Sequence, residues 1–543
     1  MFSFNLVDEP WIPCLTITDE GERIIPLNLS NILAQAQNTK SIVGDNPLVT
    51  IAIHRLLLTV LHRVFRGPRN AAEWSALWRK ERFDQPTIEA YLLEHKRRFD
   101  IFDEQFPFYQ TAEVSMDKAV SSARLLFQDD ENATLFDHTL SSRPPEVSPA
   151  LSARMLLVFQ AFDVSGLITG ENRADTATAS QLCQSAVCLV RGSNLFQTLM
   201  LNLHQYNSED EEPFAFEQRD DLPVWERREA IKAIEKLPKG YLDLLTWQSR
   251  RLRLVPEKKE SGEVVVKSWV KMKGASFPKG FSLQGRETMV AFKKKEKPKP
   301  DEPAWSSIGF IKQRVLWRDS YCLLQSFANQ SARPKTINWL SDLVSEGILK
   351  RSQTIPIDLL GLSTDKAKRL FWRHESLPIP LEYLDRKELV DRLREAITKA
   401  EGVGKDLRSS IWSLAQTLIA FTSGRDAKKE DVNDLTDSID VTSFYWSQLE
   451  THFKRLLTDL PDDQTTNDEG EAIYGKHTLA DWARVLEKTA NEAFHIATRS
   501  LDGSSRALKA VAVAERGFRW KLREALKGYL ETENNTETNG GEE

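Results

Sequence analysis

The chain has 543 residues and a mass of 62.0 kDa, more than one hydrophobic core normally serves, so two domains are expected, with room for a third. A hydrophobic content of 41% with 14 Trp and 26 Phe excludes a disordered, collagen-like or coiled-coil-only protein. The formal charge is −6, but residues 531–543 carry five acids and no base, which leaves the rest at −1; a polyanionic partner therefore has to be met by local basic patches.

In chain order, the opening holds Asp8 and Glu9 and no uninterrupted apolar stretch, so no secretory leader is expected. Residues 48–65 place Leu57, Leu58, Leu61 and Val64 at helical spacing, interrupted by His54, Arg55, His62 and Arg63. That helix is expected inside a soluble, cytoplasmic protein rather than in a membrane, its two histidines standing at the edge of the core. Residues 128–149 lose periodicity: Asp129, Asp130 and Glu131 precede Leu135 and Phe136, and three prolines follow. Two large apolar residues in an acidic loop require either a partner surface or a fold-back onto the core.

Residues 250–272 read as a hairpin turning at Glu260-Ser261-Gly262. Strand alternation sends Val264, Val266, Val270 and Met272 to one face and Lys267, Trp269, Lys271 and Lys273 to the other. The second face suits phosphate contacts with an aromatic platform, or else is a solvated face whose Trp is shielded by lysine stems. Lys293, Lys294, Lys295, Lys297 and Lys299 form a basic loop that reads as a solvated linker.

After about residue 385 the pattern is helical throughout. A lead-in helix with Leu389, Leu393, Ala396 and Ala400 is expected to end near Gly402, and four single-seam helices follow, the first through Leu407, Ile411, Leu414, Leu418 and Phe421. Such seams bury against one another. The predicted class is α+β: a large irregular α/β N-terminal domain (1–384), a C-terminal four-helix bundle (385–530) and a disordered acidic tail (531–543). The last helix is basic, with Arg506, Lys509, Arg516, Arg519, Lys521, Arg523 and Lys527 against Glu515 and Glu524. This strip suggests a nucleic-acid backbone or an acidic partner.

Catalytic signatures are missing. Gly404-Lys405-Asp406 lacks the first glycine and the hydroxyl residue of a phosphate-binding loop, and no HExxH, GxSxG or dinucleotide glycine pattern occurs. Cys14, Cys183, Cys188 and Cys322 form no CxxC pair, so they read as buried thiols, with no metal or other cofactor expected. No enzymatic activity is expected; a hydrolase assembled from distant residues is the reading without positive signal.

Three segments carry a family likeness: residues 4–13 (FNLVDEPWIP), 106–111 (FPFYQT) and 246–254 (TWQSRRLRL). They resemble the CasA family, large subunits of the type I-E CRISPR effector complex Cascade, and the likeness spans nearly the whole chain. It implies a non-catalytic subunit that samples duplex DNA for a short protospacer-adjacent motif and promotes opening and R-loop formation with the guide RNA. The implied partners are the guide RNA, the other Cascade subunits, target double-stranded DNA and the nuclease-helicase. The acidic loop (about 129–143), with Leu135, Phe136, Asp137 and His138, falls where the family docks onto the RNA 5′ handle and its neighbours.

The resemblance also implies three motif-reading elements. A glycine-rich loop corresponds to about 169–178, where this chain keeps Gly170 and offers Asn172 and Arg173. A lysine finger corresponds to 263–273, with Lys267 and Lys271. A wedge loop, usually tipped by glutamine, corresponds to 361–368, before Arg373-His374; here Lys366 stands at the tip beside Thr364 and Asp365, and a glutamine's paired donor and acceptor are lost. The family's frequent cysteine-bound zinc has no ligands here. A helical adaptor that binds only protein is the alternative reading.

Overall fold

The computed structural model describes residues 2–126, 144–170, 174–207, 221–311, 314–328, 330–365, 368–423, 427–466, 470, 472–499, 501 and 503–530. The chain forms two compact units: Met1–Leu316 with Gln325–Lys350 and Ile355–Ser376, and Trp317–Leu324 with Arg351–Thr354 and Leu377–Glu543.

The first unit begins with a three-stranded antiparallel sheet, β1 (Ile12–Thr18), β2 (Gly21–Leu27) and β3 (Thr39–Ile42), in the order β2-β1-β3. Helix α1 (Pro47–Phe65) starts where Asn46 Oδ1 accepts from the Leu48 and Val49 amides and Pro47 presets the first turn. It is apolar nearly all round and accordingly buried on most sides. Its charge is neutralised internally: Arg55 makes a two-pronged ion pair with buried Glu287 at 2.8 and 3.0 Å. The histidines are fully buried rather than at the core edge. His54 Nδ1 meets the Thr50 carbonyl at 2.8 Å and His62 Nδ1 the Gly67 carbonyl at 3.0 Å, and burial lowers His54 to about 4.

Helix α2 (Pro149–Phe162) is capped by Ser148 and packs against α1. It leads into the short pair β4 (Gly166–Ile168) and β5 (Asp175–Ala177). Strand β6 (Ala186–Val190) is entirely buried. The hairpin β7 (Arg250–Lys258) and β8 (Val264–Lys273) turns at Gly262, whose φ of +88° favours glycine. Val120–Ser121 pairs with the outer edge of β8. Strands β9 (Thr354–Asp365) and β10 (Lys368–Pro380) complete the sheet β10-β9-β6, so most of the expected wedge loop is strand.

In the second unit α3 (Lys387–Ser423) is one helix of 37 residues. The expected break at Gly402 does not occur: Gly402 faces open space, and its cost of about 1 kcal/mol is outweighed by the continuous buried row Leu393, Ala396, Ala400, Val403, Leu407 and Ile411. Helix α4 (Lys429–Ile439), which the pattern did not reveal, buries only Val432 and Thr436. Helix α5 (Val441–Asp459) is followed by a small antiparallel pair, β11 (Gln464–Thr466) and β12 (Ala472–Tyr474), so the region is not helical throughout. Asp463 accepts from the His477 and Thr478 amides, both at 2.7 Å, and so starts α6 (Lys476–Arg499). Helix α7 (Ser505–Leu530) closes the unit. Helix α3 packs against each of the other four, α5 against α6, and α6 against α7; Trp317 stacks on Phe453 at 4.3 Å in the core.

Candidate nucleic-acid interface

Asp163, the residue that ends α2, is 1% exposed and receives three cations. Arg250 Nε, from the first residue of β7, lies 2.7 Å from Oδ2. Lys271 Nζ, from β8, lies 3.0 Å from Oδ2 and 3.3 Å from Oδ1. Arg369 Nη2, from the second residue of β10, lies 3.2 Å from Oδ1. Burial by itself raises a carboxyl pKa; Lys271, Arg250 and Arg369 outweigh it and hold Asp163 at about 2. Burial lowers the pKa of Lys271 despite the neighbouring carboxylate.

The cluster ties together the three segments expected to read DNA. Arg250 Nη2 donates to the carbonyls of Val164 and Thr178, each at 2.9 Å, and so clamps both ends of the β4-β5 segment. Thr169 bridges Met272 of β8, and the carbonyl of Gly170 accepts from Lys118. Lys273 Nζ is 3.9 Å from Asp175. Arg369, four residues past Asp365, anchors the start of β10. The loop, the lysine strand and the third hairpin thus share one buried counter-ion.

Lys271, 26% exposed, is the inward member of the expected pair. Lys267, four residues earlier on the strand and so about 13 Å away, is 32% exposed and sits between Glu146 at 3.4 Å and Glu257 at 3.5 Å. Trp269 is not a platform: it is 1% exposed and packs on Phe159 at 4.7 Å. The lysine face is roofed at its middle by α2, and Lys271 and Arg369 both lie over the Phe159 ring. Thr364 is half-buried and Asp365 exposed at the end of β9. Thr364 lines a groove of about 430 Å³ together with Phe277, Phe281, Trp305 and Phe310. Asn172, Arg173, Lys366, Leu135, Phe136, Asp137 and His138 lie outside the described residues.

Of the following pair, Arg373 meets Glu375 at 3.3 Å and His374 Nε2 lies 3.2 Å from Asp358. In the basic loop, Lys295 and Lys299 share Glu302 at 3.2 and 3.4 Å. All four cysteines are buried, and burial pushes Cys14 and Cys183 up to about 12. Among the described residues no group of three or more His, Cys, Asp or Glu side chains could hold a metal ion.

Sequence reasoning missed Asp163 and Arg369, which no motif marks. Arg250 stood inside the 246–254 segment without its role being legible. In the second unit, α7 presents Arg519, Arg523 and Lys527 to solvent. They border an open groove of about 950 Å³ between α6 and α7, floored by Phe494 and Leu522. Lys521 instead donates to Ser409 Oγ at 2.8 Å.

The family model for CRISPR-associated protein Cse1 matches residues 5–493. A curated relative, the CRISPR-associated protein CasA/Cse1 of Thermus thermophilus, is 30% identical over 530 residues, covering 95% of this chain and 96% of its own. A crystal structure of CasA from Thermus thermophilus superposes with a TM-score of 0.77 at 27% identity, over 96% of this chain and all of that one. A chain of a solved CRISPR RNA-guided surveillance complex shares the fold, with a TM-score of 0.74 at 18% identity over 95% of this chain and 99% of its own. With a match from residue 5 to residue 493 and a relative aligned over 96% of its length, the chain belongs to the Cse1 (CasA) family of CRISPR-associated proteins.

Proposed function

We propose that this chain is the non-catalytic large subunit of a type I-E CRISPR surveillance complex, acting in the cytoplasm with guide RNA and the other Cascade subunits. It recognises a protospacer-adjacent motif in duplex DNA, promotes opening of the duplex and R-loop formation, and recruits the nuclease-helicase. In this reading residues 1–384 hold the docking and motif-reading segments, and the long helices α3, α5, α6 and α7 form an antiparallel four-helix bundle.

The observation that carries the reading is the convergence of the β4-β5 segment, β8 and the start of β10 on Asp163. Three short segments scattered over about 200 residues of chain are held to one spot, as joint readout of a few base pairs requires. Exchange of a DNA duplex for an RNA–DNA heteroduplex is nearly balanced in another CRISPR effector, so modest contacts where opening starts decide whether it proceeds. The minor groove distinguishes base pairs poorly, so a reader there tolerates related motifs. Lys267 is the phosphate-contact candidate because its carboxylate partners are solvent-exposed, whereas Lys271 serves the buried cluster.

The test is gel-shift competition among duplexes that differ only beside the guide-matched segment, with complexes containing and lacking the chain. Discrimination is expected only with it. K267A should lower the salt slope of duplex binding by about one with an unchanged melting midpoint; an unchanged slope removes Lys267 from the interface. The protein-adaptor reading has one observation in its favour, the exposed Leu508, Val513 and Trp520 on α7, and predicts no retention of duplex DNA at low salt.

A further inference from the structure

The groove beside Thr364 joins aromatic surface to a basic edge. Its strand Trp305–Ser307 runs antiparallel to Phe292–Lys294 and sets Lys294 directly across from Trp305; residues opposed in this way share a face. Lys294 is exposed, and Lys295 lines the groove while sharing Glu302 at 3.2 Å. Elsewhere in the lining Phe281 stacks on Phe277 at 4.6 Å, and Phe277 on Trp247 at 4.6 Å. Cations close both ends of that column, Arg286 over Phe281 and Lys236 over Trp247. Trp305 differs: it is half-buried, and among the described residues no ring stacks on it and its indole N–H makes no hydrogen bond. Residues 277–311 carry seven bases against four acids, and one of those acids, Glu287, is taken up by Arg55.

We propose that this groove receives one unstacked base of a single nucleic-acid strand on the Trp305 ring, with Lys294 and Lys295 toward the strand's phosphates. An unpartnered ring with a cation beside it is the combination by which single strands are held without regard to sequence. The volume of about 430 Å³ suits a small planar ligand. Thr364 and exposed Gln184 add a hydroxyl and an amide to the lining, and the donors and acceptors of a base edge meet them as an apolar peptide side chain does not. Thr364 stands at the end of β9, and β10 of the same hairpin carries Arg369 to Asp163, so the groove lies on the hairpin assigned above to the parting of the strands. The source of the strand rests on the duplex opening proposed above; the chemistry of the groove does not. Stacking on the indole offsets part of the cost of unstacking, and a base held there cannot pair again with its former partner.

The full chain alone, with neither duplex nor motif present, tests this by fluorescence anisotropy at low salt. An oligothymidylate is expected to bind about tenfold more tightly than an abasic strand of the same length and charge, because only the first has bases to stack. W305A should remove that preference and W305F should keep most of it. K294A should leave the preference intact and lower the salt slope by about one. Ultraviolet irradiation of a strand carrying 5-iododeoxyuridine, which joins to aromatic rings lying against it, should label the peptide that contains Trp305; this readout on the parent decides the matter if W305A fails to fold. Equal affinities for the two strands, a preference that survives in folded W305A, or a label only elsewhere overturns the inference. So does an acidic, proline-rich peptide that binds the parent but not W305A while the two strands bind alike, which would assign the groove to a protein partner. Motif discrimination in the gel shifts without a base preference here defeats this inference alone, and the reverse result defeats only the proposed function.

Discussion

The two units use their positive charge in opposite ways. In the first, Arg250, Lys271 and Arg369 point inward at one carboxylate that is 1% exposed, and they fix where three chain segments meet. In the second, Arg519, Arg523 and Lys527 stand in solvent along a helix whose apolar seam, Phe518, Leu522 and Leu526, does the packing. Sequence shows the same residue types in both places. The difference is whether a carboxylate is buried among them, and it separates cations that hold chain segments together from cations left in solvent.

Removing the counter-ion should break that contrast most visibly. D163A strands three cations, one of them fully buried, and should destabilise the first unit by about 3–5 kcal/mol, read from its urea midpoint. The same group makes that unit acid-sensitive. Its folded pKa of about 2 lies below the ordinary value of 3.8, so its contribution is present above about pH 4 and lost as pH falls from there toward about 2, a change of about 2 kcal/mol. A D163A chain should lose that part of its pH dependence; an unchanged profile would show that the cluster does not contribute.

The second unit should answer to packing instead of charge. A Cβ at Gly404 would sit 2.9 Å from the Trp446 ring and 3.1 Å from Tyr445, so G404A should cost about 1–3 kcal/mol. G402A, two residues earlier and facing open space, should stabilise by about 0.5–1 kcal/mol. Opposite shifts in the second unit's melting midpoint check both. The smallest effect belongs to R519A/R523A, expected within about 0.5 kcal/mol of the parent; a larger loss would place these arginines in the framework and erase the contrast.

How much was legible in the sequence follows the range of the interactions. The β7-β8 hairpin could be read because its turn glycine and valine run are local. The two faces of β8 could be separated by alternation, but alternation does not say which face another element covers, and α2 covers Trp269 through Phe159. The Asp163 cluster was illegible because its partners are 87, 108 and 206 residues away. Family likeness named the three segments; it did not reveal the ion that joins them. Helix α3 was split at Gly402 because a propensity rule was applied where tertiary burial decides.

The guanidinium of Arg250 holds the carbonyls of Val164 and Thr178, the two feet of a short excursion of the chain. Fixing the feet through main-chain oxygens asks nothing of the residues at the crest. A lineage can therefore rewrite the residues between those feet while the foundation stays unaltered.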